Sequence, residues 1–177
     1  MESGIANAAS RSTLPQLRVT GSTVQDLDDG LRHEWLVTNG IGGYASGTVA
    51  GVNTRRYHGL LMAALRPPIA RALLLARTHE TVIVNGYPYP LHSSEYADGT
   101  IDPSGYRYLQ GFRLDGTLPV WRYRCGEVEI EKRLWMVYGR NTTVVRYTPR
   151  HMMVDTCLHL RCRERRSLCQ CSSALIR

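Results

Sequence analysis

The stretch VWRYRCGEVEIEKRLWMV, residues 120–137, leaves this chain little choice of local structure. Trp121, Tyr123 and Cys125 alternate with Arg122 and Arg124, and beyond Gly126, Val128 and Ile130 alternate with Glu127, Glu129 and Glu131. A period of two sends one set to an apolar face and the other to a polar face, so the segment predicts two strands folded back at Gly126. In that register an arginine row opposes a glutamate row, with cross-strand pairs worth roughly 0.2–1 kcal/mol each. The glutamates read as a solvated strand face rather than as an acid–base pair.

A second hairpin is signalled by ETVIVNGYPYPL, where Asn85-Gly86 separates a β-branched run from a Tyr/Pro alternation. NTTVVRYT, residues 141–148, is again β-branched and alternating. The apolar runs Leu60–Leu65 and Leu73–Ala76 are separated by Pro67-Pro68, which forbids a continuous helix across them. Residues 1–30 show no clear period and predict a loose lead-in with at most one edge strand. Six to nine short strands, with no amphipathic helix before residue 150, predict an all-β antiparallel sandwich.

Length and composition fit one globular unit: 177 residues, 43% apolar and 21% charged. The net charge of +7 invites a nucleic-acid reading, but residues 1–148 carry 16 basic against 13 acidic side chains, and residues 149–177 carry 6 against 2. More than half of the excess therefore sits in an end segment that also holds Cys157, Cys162, Cys169 and Cys171. That segment departs in style from everything before it, and three readings of it stand: a native basic tail, a metal-binding tail, or the product of a shifted reading frame. An odd cysteine count without a Cys-x-x-Cys pair argues against a disulfide framework or a zinc site. The N-terminus has no apolar run of signal-peptide length, and the expectation is a reducing, cytoplasmic setting with no membrane association, no cofactor and no metal.

The most chemically loaded stretch runs from Trp35 to His58. Gly40-Ile41-Gly42-Gly43-Tyr44-Ala45 fits G-x-G-x-x-A after the plausible strand EWLVT, but no helix-forming run follows and no acid appears before Glu80, so a dinucleotide site is not supported. The glycines read instead as turns with positive φ or as points of close backbone approach. Arg55, Arg56, Tyr57 and His58, with Asn39, Asn53 and Thr54 near in sequence, gather hydrogen-bonding groups that can engage sugar hydroxyls. Trp35, Tyr44 and Tyr57 are candidates to stack on pyranose faces. The same run also reads as an ordinary strand with alternate residues in solvent, and spacing does not decide between the two. His79-Glu80 is a candidate titrating pair; no nucleophile–base or metal-ligand motif is present, and no catalytic residue is assigned.

EWLVTNGIGGYASGTVAGVNTRRYHGLLMAAL, residues 34–65, closely resembles the opening signature of the bacterial and archaeal type of glycogen debranching enzyme, the amylo-α-1,6-glucosidase group. RTHETVIVNGYPYPL and the long segment from Gly111 to Thr148 resemble the same family's N-terminal domain, so the likeness spans Leu31–Thr148. It implies a supersandwich-like domain that precedes an (α/α) helical barrel, with the hydrolytic carboxylates on that barrel and therefore absent from this chain. The implied function is that of an accessory domain that shapes the α-glucan cleft and docks to the barrel. The implied site or interface residues are Trp35, Asn39, Tyr44, Asn53, Thr54, Arg55, Arg56, Tyr57 and His58. The departure from the family pattern is expected at Pro149. Two rivals are a stand-alone α-glucan-binding module and a small arginine-rich nucleic-acid binder.

Overall fold

A computed structural model describes residues 18–20, 26–151, 156–164 and 174–176. The chain enters with β1 (Arg18–Thr20) and a single helical turn and a half, α1 (Leu27–Arg32), started by Asp26, whose Oδ1 accepts from the backbone N–H groups of Asp28 and Asp29. Then come β2 (Glu34–Thr38), β3 (Tyr44–Thr48), β4 (Gly59–Arg66), the long β5 (Ile69–Val84), β6 (Tyr87–Pro90), β7 (Ser93–Glu95) and β8 (Ile101–Ser104). A 3-10 turn at Gly105–Tyr108 leads to β9 (Leu109–Asp115), β10 (Leu118–Cys125), β11 (Val128–Met136), β12 (Thr143–His151), β13 (Thr156–Glu164) and β14 (Ala174–Ile176).

These strands make an antiparallel sandwich. One sheet has the order β1-β9-β10-β11-β12; the other runs β14-β13-β5-β4-β3-β2, with β6 also paired to β5, and β7 and β8 form a small ribbon. Both predicted hairpins are present. Cys125 pairs with Val128 around Gly126, and Val84 pairs with Tyr87 around Asn85 and Gly86, whose φ values of 51° and 82° are those of a type I′ turn. Pro67-Pro68 sits in the tight β4–β5 connection, where Arg66 pairs with Ile69.

The strands outnumber the six to nine read from the sequence. β1, β7, β8 and β14 are only three or four residues long and too short to show a period, and β5 runs on through the polar Arg77–Glu80. The end segment set apart by its arginines and cysteines contributes β13, which pairs with β5 from Thr156↔Val84 onward and buries Leu158 in the core beside Val82. Within it Leu158 is buried and His159 exposed, as a strand on the core predicts.

The core lies between the sheets and is built on aromatic contacts. Trp35 of β2 meets Trp121 of β10 edge-on with ring centroids 5.2 Å apart, and Phe112 of β9 packs on Trp121 at 5.4 Å. Both indoles are anchored to the end of β3: Trp35 Nε1 donates to the Thr48 carbonyl and Trp121 Nε1, reaching across the sandwich, to that of Val49. Beside them is an ion pair between the sheets, Lys132 Nζ of β11 to Glu80 Oε1 of β5 at 2.6 Å. Lys132 is the one lysine of the chain, and its ammonium lies 5.3 Å from the centroid of Trp121. Glu80 is 1% exposed, and Thr78 Oγ1 donates to the same carboxylate oxygen. Burial pushes the Glu80 pKa up, but the Lys132 charge and the hydrogen bonds to Lys132 and Thr78 outweigh it and leave the carboxyl below its ordinary value.

Removing one partner from such a pair strands the other without compensation. Lys132→Met is expected to cost about 3–5 kcal/mol, and adding Glu80→Leu in the same chain to recover most of it. Urea unfolding of both variants measures this; a loss near ~1 kcal/mol for Lys132→Met, the range of an exposed pair, would contradict a buried bridge.

Candidate functional site

The glycine-rich turn after β2 is organised by one side chain. Asn39 is fully buried; its Oδ1 accepts from the N–H groups of Ile41 and Gly43, and its Nδ2 donates to the Arg140 carbonyl and to Asn141 Oδ1. Asn141 continues the link, exchanging hydrogen bonds with the backbone N–H and carbonyl of Ala64. The β2–β3 turn, the β11–β12 turn and β4 are thus tied at one point. Gly40 and Gly42 take φ of 79° and 94°, and a Cβ at Gly40 would meet the Tyr138 ring at 2.3 Å. Positive φ and close approach are what these glycines provide, and a strand follows them rather than a helix.

The loop from Asn53 to His58, between β3 and β4, builds a second cluster. Thr54 N–H donates to His58 Nδ1 at 3.2 Å, which leaves the imidazole proton on Nε2, 3.6 Å from Glu34 Oε1. Arg55 Nε donates to the same Glu34 oxygen. The His58 ring is 4% exposed; burial holds it below the usual imidazole range, against the pull of Glu34. The hydrogen bond from Arg55 holds the Glu34 carboxyl below its ordinary value. Outside this network Arg56 stacks over the exposed Tyr57 ring at 5.6 Å. Ser46 of β3 donates to the Tyr57 carbonyl, and exposed Leu36 stands two residues along β2 from Glu34.

Arg55, Arg56, Tyr57 and His58 are therefore brought together around Glu34, with Thr54 as a backbone donor and the half-buried Tyr44 two positions along β3 from Ser46. Two other candidates turn inward. Trp35 is a core side chain pinned by Trp121 and Thr48, with no free face for a sugar, and Asn39 is spent on backbone groups. Asn53 Nδ2 donates to the Ala76 carbonyl of β5. The β2 alternation explains the split: Glu34, Leu36 and Thr38 are exposed while Trp35 and Val37 are buried. Glu34 was missed because a lone acid at a strand start carries no signal until the loop 20 residues on is folded against it.

His79 and Glu80 do not form a pair. The His79 ring stacks on His92 at 4.4 Å, while Glu80 faces Lys132. Glu131, read as a solvated strand face, is buried and held by Arg113, Arg133 and Arg150. Burial pushes the Cys125 thiol up to about 12, which keeps it protonated and a poor nucleophile. Among the described residues no group of three or more His, Cys, Asp or Glu is placed to hold a metal ion, and no helix is long and apolar enough to cross a membrane.

The family model described as glycogen debranching enzyme N terminal matches residues 33–167. The chain belongs to that family. Neither curated proteins nor solved structures give a match to it. The match takes in the Asn39 turn, the Glu34–His58 cluster, the Glu80–Lys132 bridge and β13, and so runs past Pro149, where the departure from the family pattern was expected. The glycogen debranching N-terminal domain here is a sandwich whose polar loop lies beside β2, the edge strand of its larger sheet.

The neutral, buried imidazole gives a pH dependence of definite sign. Below about pH 6.5 the unfolded chain protonates at its histidines, while folded His58 and the half-buried His92, both held low by burial, take up their protons only at lower pH. The unfolded state then binds more protons, so stability falls as the pH drops through that window. Urea midpoints taken from about pH 8 to about pH 5 should decline, and His58→Gln should flatten the decline; a wild-type midpoint that rises toward acid, or an unaltered slope in the variant, would remove His58 from this role.

Proposed function

We propose that this domain serves a debranching enzyme as an accessory unit, docking on an (α/α) helical-barrel catalytic domain through the β2–β3 edge and the 53–58 loop and lining the cleft that α-glucan enters. The observation that carries the reading is the exposed Arg56–Tyr57 stack, its backbone tied to Ser46 opposite exposed Leu36 and preceded by Arg55 paired to Glu34. Aromatic rings and arginine are the side chains enriched at interfaces, because they offer large contact area with few rotatable bonds and a polar tip. Tyr57 and Leu36 are 58% and 57% exposed, an apolar load that a partner would cover. Hydrolysis belongs to the barrel, where one carboxyl protonates the leaving oxygen and another activates water. The domain's share is to shape and dock. Cys125 and Cys157 are free thiols, in keeping with work in the cytoplasm.

The test adds the barrel domain of a debranching enzyme to this chain and, separately, a branched maltooligosaccharide, following each by calorimetry. Barrel binding that weakens about tenfold in Tyr57→Ala and Arg56→Ala, with melting unchanged, is the expected result. Equal affinity in all three proteins would sink the docking face. Saturable glucan binding by the chain alone, lost in Tyr57→Ala, would instead favour a self-sufficient glucan-binding module.

A further inference from the structure

Among the described residues the two sheets end on β1, β12, β14 and β2. β1 and β14 are three residues long. β12 is longer, but it carries Pro149, which has no N–H, and the cations Arg146 and Arg150, the means by which a sheet edge is commonly blunted. β2 has no proline and no unpaired charge: Glu34 is met by Arg55, and the middle of the strand is exposed Leu36. Its neighbour among the described strands is β3, on one side.

The ladder to β3 fixes which main-chain groups of β2 point away from it. Val49 N–H donates to the His33 carbonyl and Asn39 N–H to that of Gly43, and the pairing runs without a shift from Glu34↔Thr48 to Thr38↔Tyr44. His33, Trp35, Val37 and Asn39 therefore turn their main-chain groups toward β3. Both groups of a residue in an antiparallel strand point the same way, and successive residues alternate. The N–H and C=O of Glu34, Leu36 and Thr38 thus point outward in the plane of the sheet, while their side chains share its exposed outer face.

We propose that this edge pairs with the same edge of a second copy of the chain, antiparallel about a twofold axis through Leu36, so that the two larger sheets become one. Leu36 lies opposite Leu36 of the second copy and Glu34 opposite its Thr38, and the three outward residues of each strand exchange about six main-chain hydrogen bonds. The strand is self-complementary in this register alone. An axis at Trp35 leaves Thr38 facing the helical Arg32, an axis at Val37 leaves Glu34 facing the turn at Gly40, and either forfeits two of the bonds. The register also sets a carboxylate against a hydroxyl and keeps the two glutamates about 14 Å apart along the strands, at ~3.4 Å per residue. Such an isologous contact closes on itself as a dimer. Its five residues a side place it at the small end of specific interfaces, so the association is weak and reversible. The bonds lie in the plane of the sheet, whereas barrel docking uses the side chains of Arg56 and Tyr57, so the pairing does not depend on that reading.

The experiment follows the mass of the full chain by sedimentation velocity across a range of concentrations, where a dimer fraction that rises with concentration is expected. Leu36→Lys sets two ammonium groups face to face at the axis and should raise the dimer Kd about tenfold or more, with part of the loss recovered at high salt. Leu36 is exposed, so the dilute variant should melt as wild type does. Cysteine substitution reads the register. Leu36→Cys places two thiols across a pair whose Cα atoms are about 5.5 Å apart, within disulfide reach, whereas Thr38→Cys leaves them about 14 Å apart. Under mild oxidation Leu36→Cys should therefore cross-link above the wild-type background and Thr38→Cys should not, and Tyr57→Ala should dimerise as wild type. A chain that stays monomeric at every concentration, a dimer indifferent to Leu36→Lys, or cross-linking no faster in Leu36→Cys than in Thr38→Cys overturns the pairing.

Discussion

The sandwich turns on one largely buried cation between its sheets. Every basic side chain but one is arginine, and the exception, Lys132, is the one that enters the interior. The difference is physical. A buried guanidinium brings five N–H donors in a rigid fork, each in need of an acceptor, whereas an ammonium is compact and directs three. Between the face of Trp121 and one oxygen of Glu80 there is a partner for a point charge but not for a fork. The Trp121 ring is held by the Val49 carbonyl and by Phe112, and Glu80 by Thr78, so placing Lys132 fixes elements of both sheets at once. A buried pair of this kind adds little net stability over an apolar replacement. Its effect is to disfavour alternative alignments of the sheets, since any slip leaves two charges unpaired.

What the sequence made legible were the features decided by neighbours in the chain. The Gly126 and Asn85-Gly86 hairpins, the β12 alternation and the glycine turn after Thr38 follow from turn chemistry and a two-residue period, and all four are present. Side-chain destinations were harder to read. Asn39 looked like a ligand-binding amide because its partners, Arg140 and Asn141, lie about a hundred positions away, and a polar residue in a glycine loop gives no hint of which backbone it will serve. Trp35 was misplaced for a related reason: EWLVT reads as a strand, but which of its faces is the core depends on where Trp121 arrives from the other sheet.

The two glutamates show the same limit from the other side. Glu131 stands in register with Arg122, as the alternation predicts, yet its carboxylate is taken by Arg113, two strands away in the sheet, and by Arg150 beyond the bulge. A long guanidinium reaches diagonally, so nearest-neighbour pairing rules describe the backbone ladder better than they describe ion pairs. β13 was obscured by composition: arginine and cysteine density drew attention away from a regular alternation, and its place beside β5 required knowing that β5 runs the length of the sheet.

The distribution of charge between the faces separates two kinds of surface. On the β2–β3 edge, Arg55 is neutralised by Glu34 and Arg56 lies over Tyr57, so cations there support an aromatic, half-apolar patch of low net charge. On the outer side of the five-stranded sheet, Glu131 gathers Arg113 and Arg150 while Arg133 turns to Asp115, so cations there are tied into ion pairs that span several strands. Sugars are recognised by hydroxyl-directed hydrogen bonds and ring stacking, for which the first surface has the groups and the second has few.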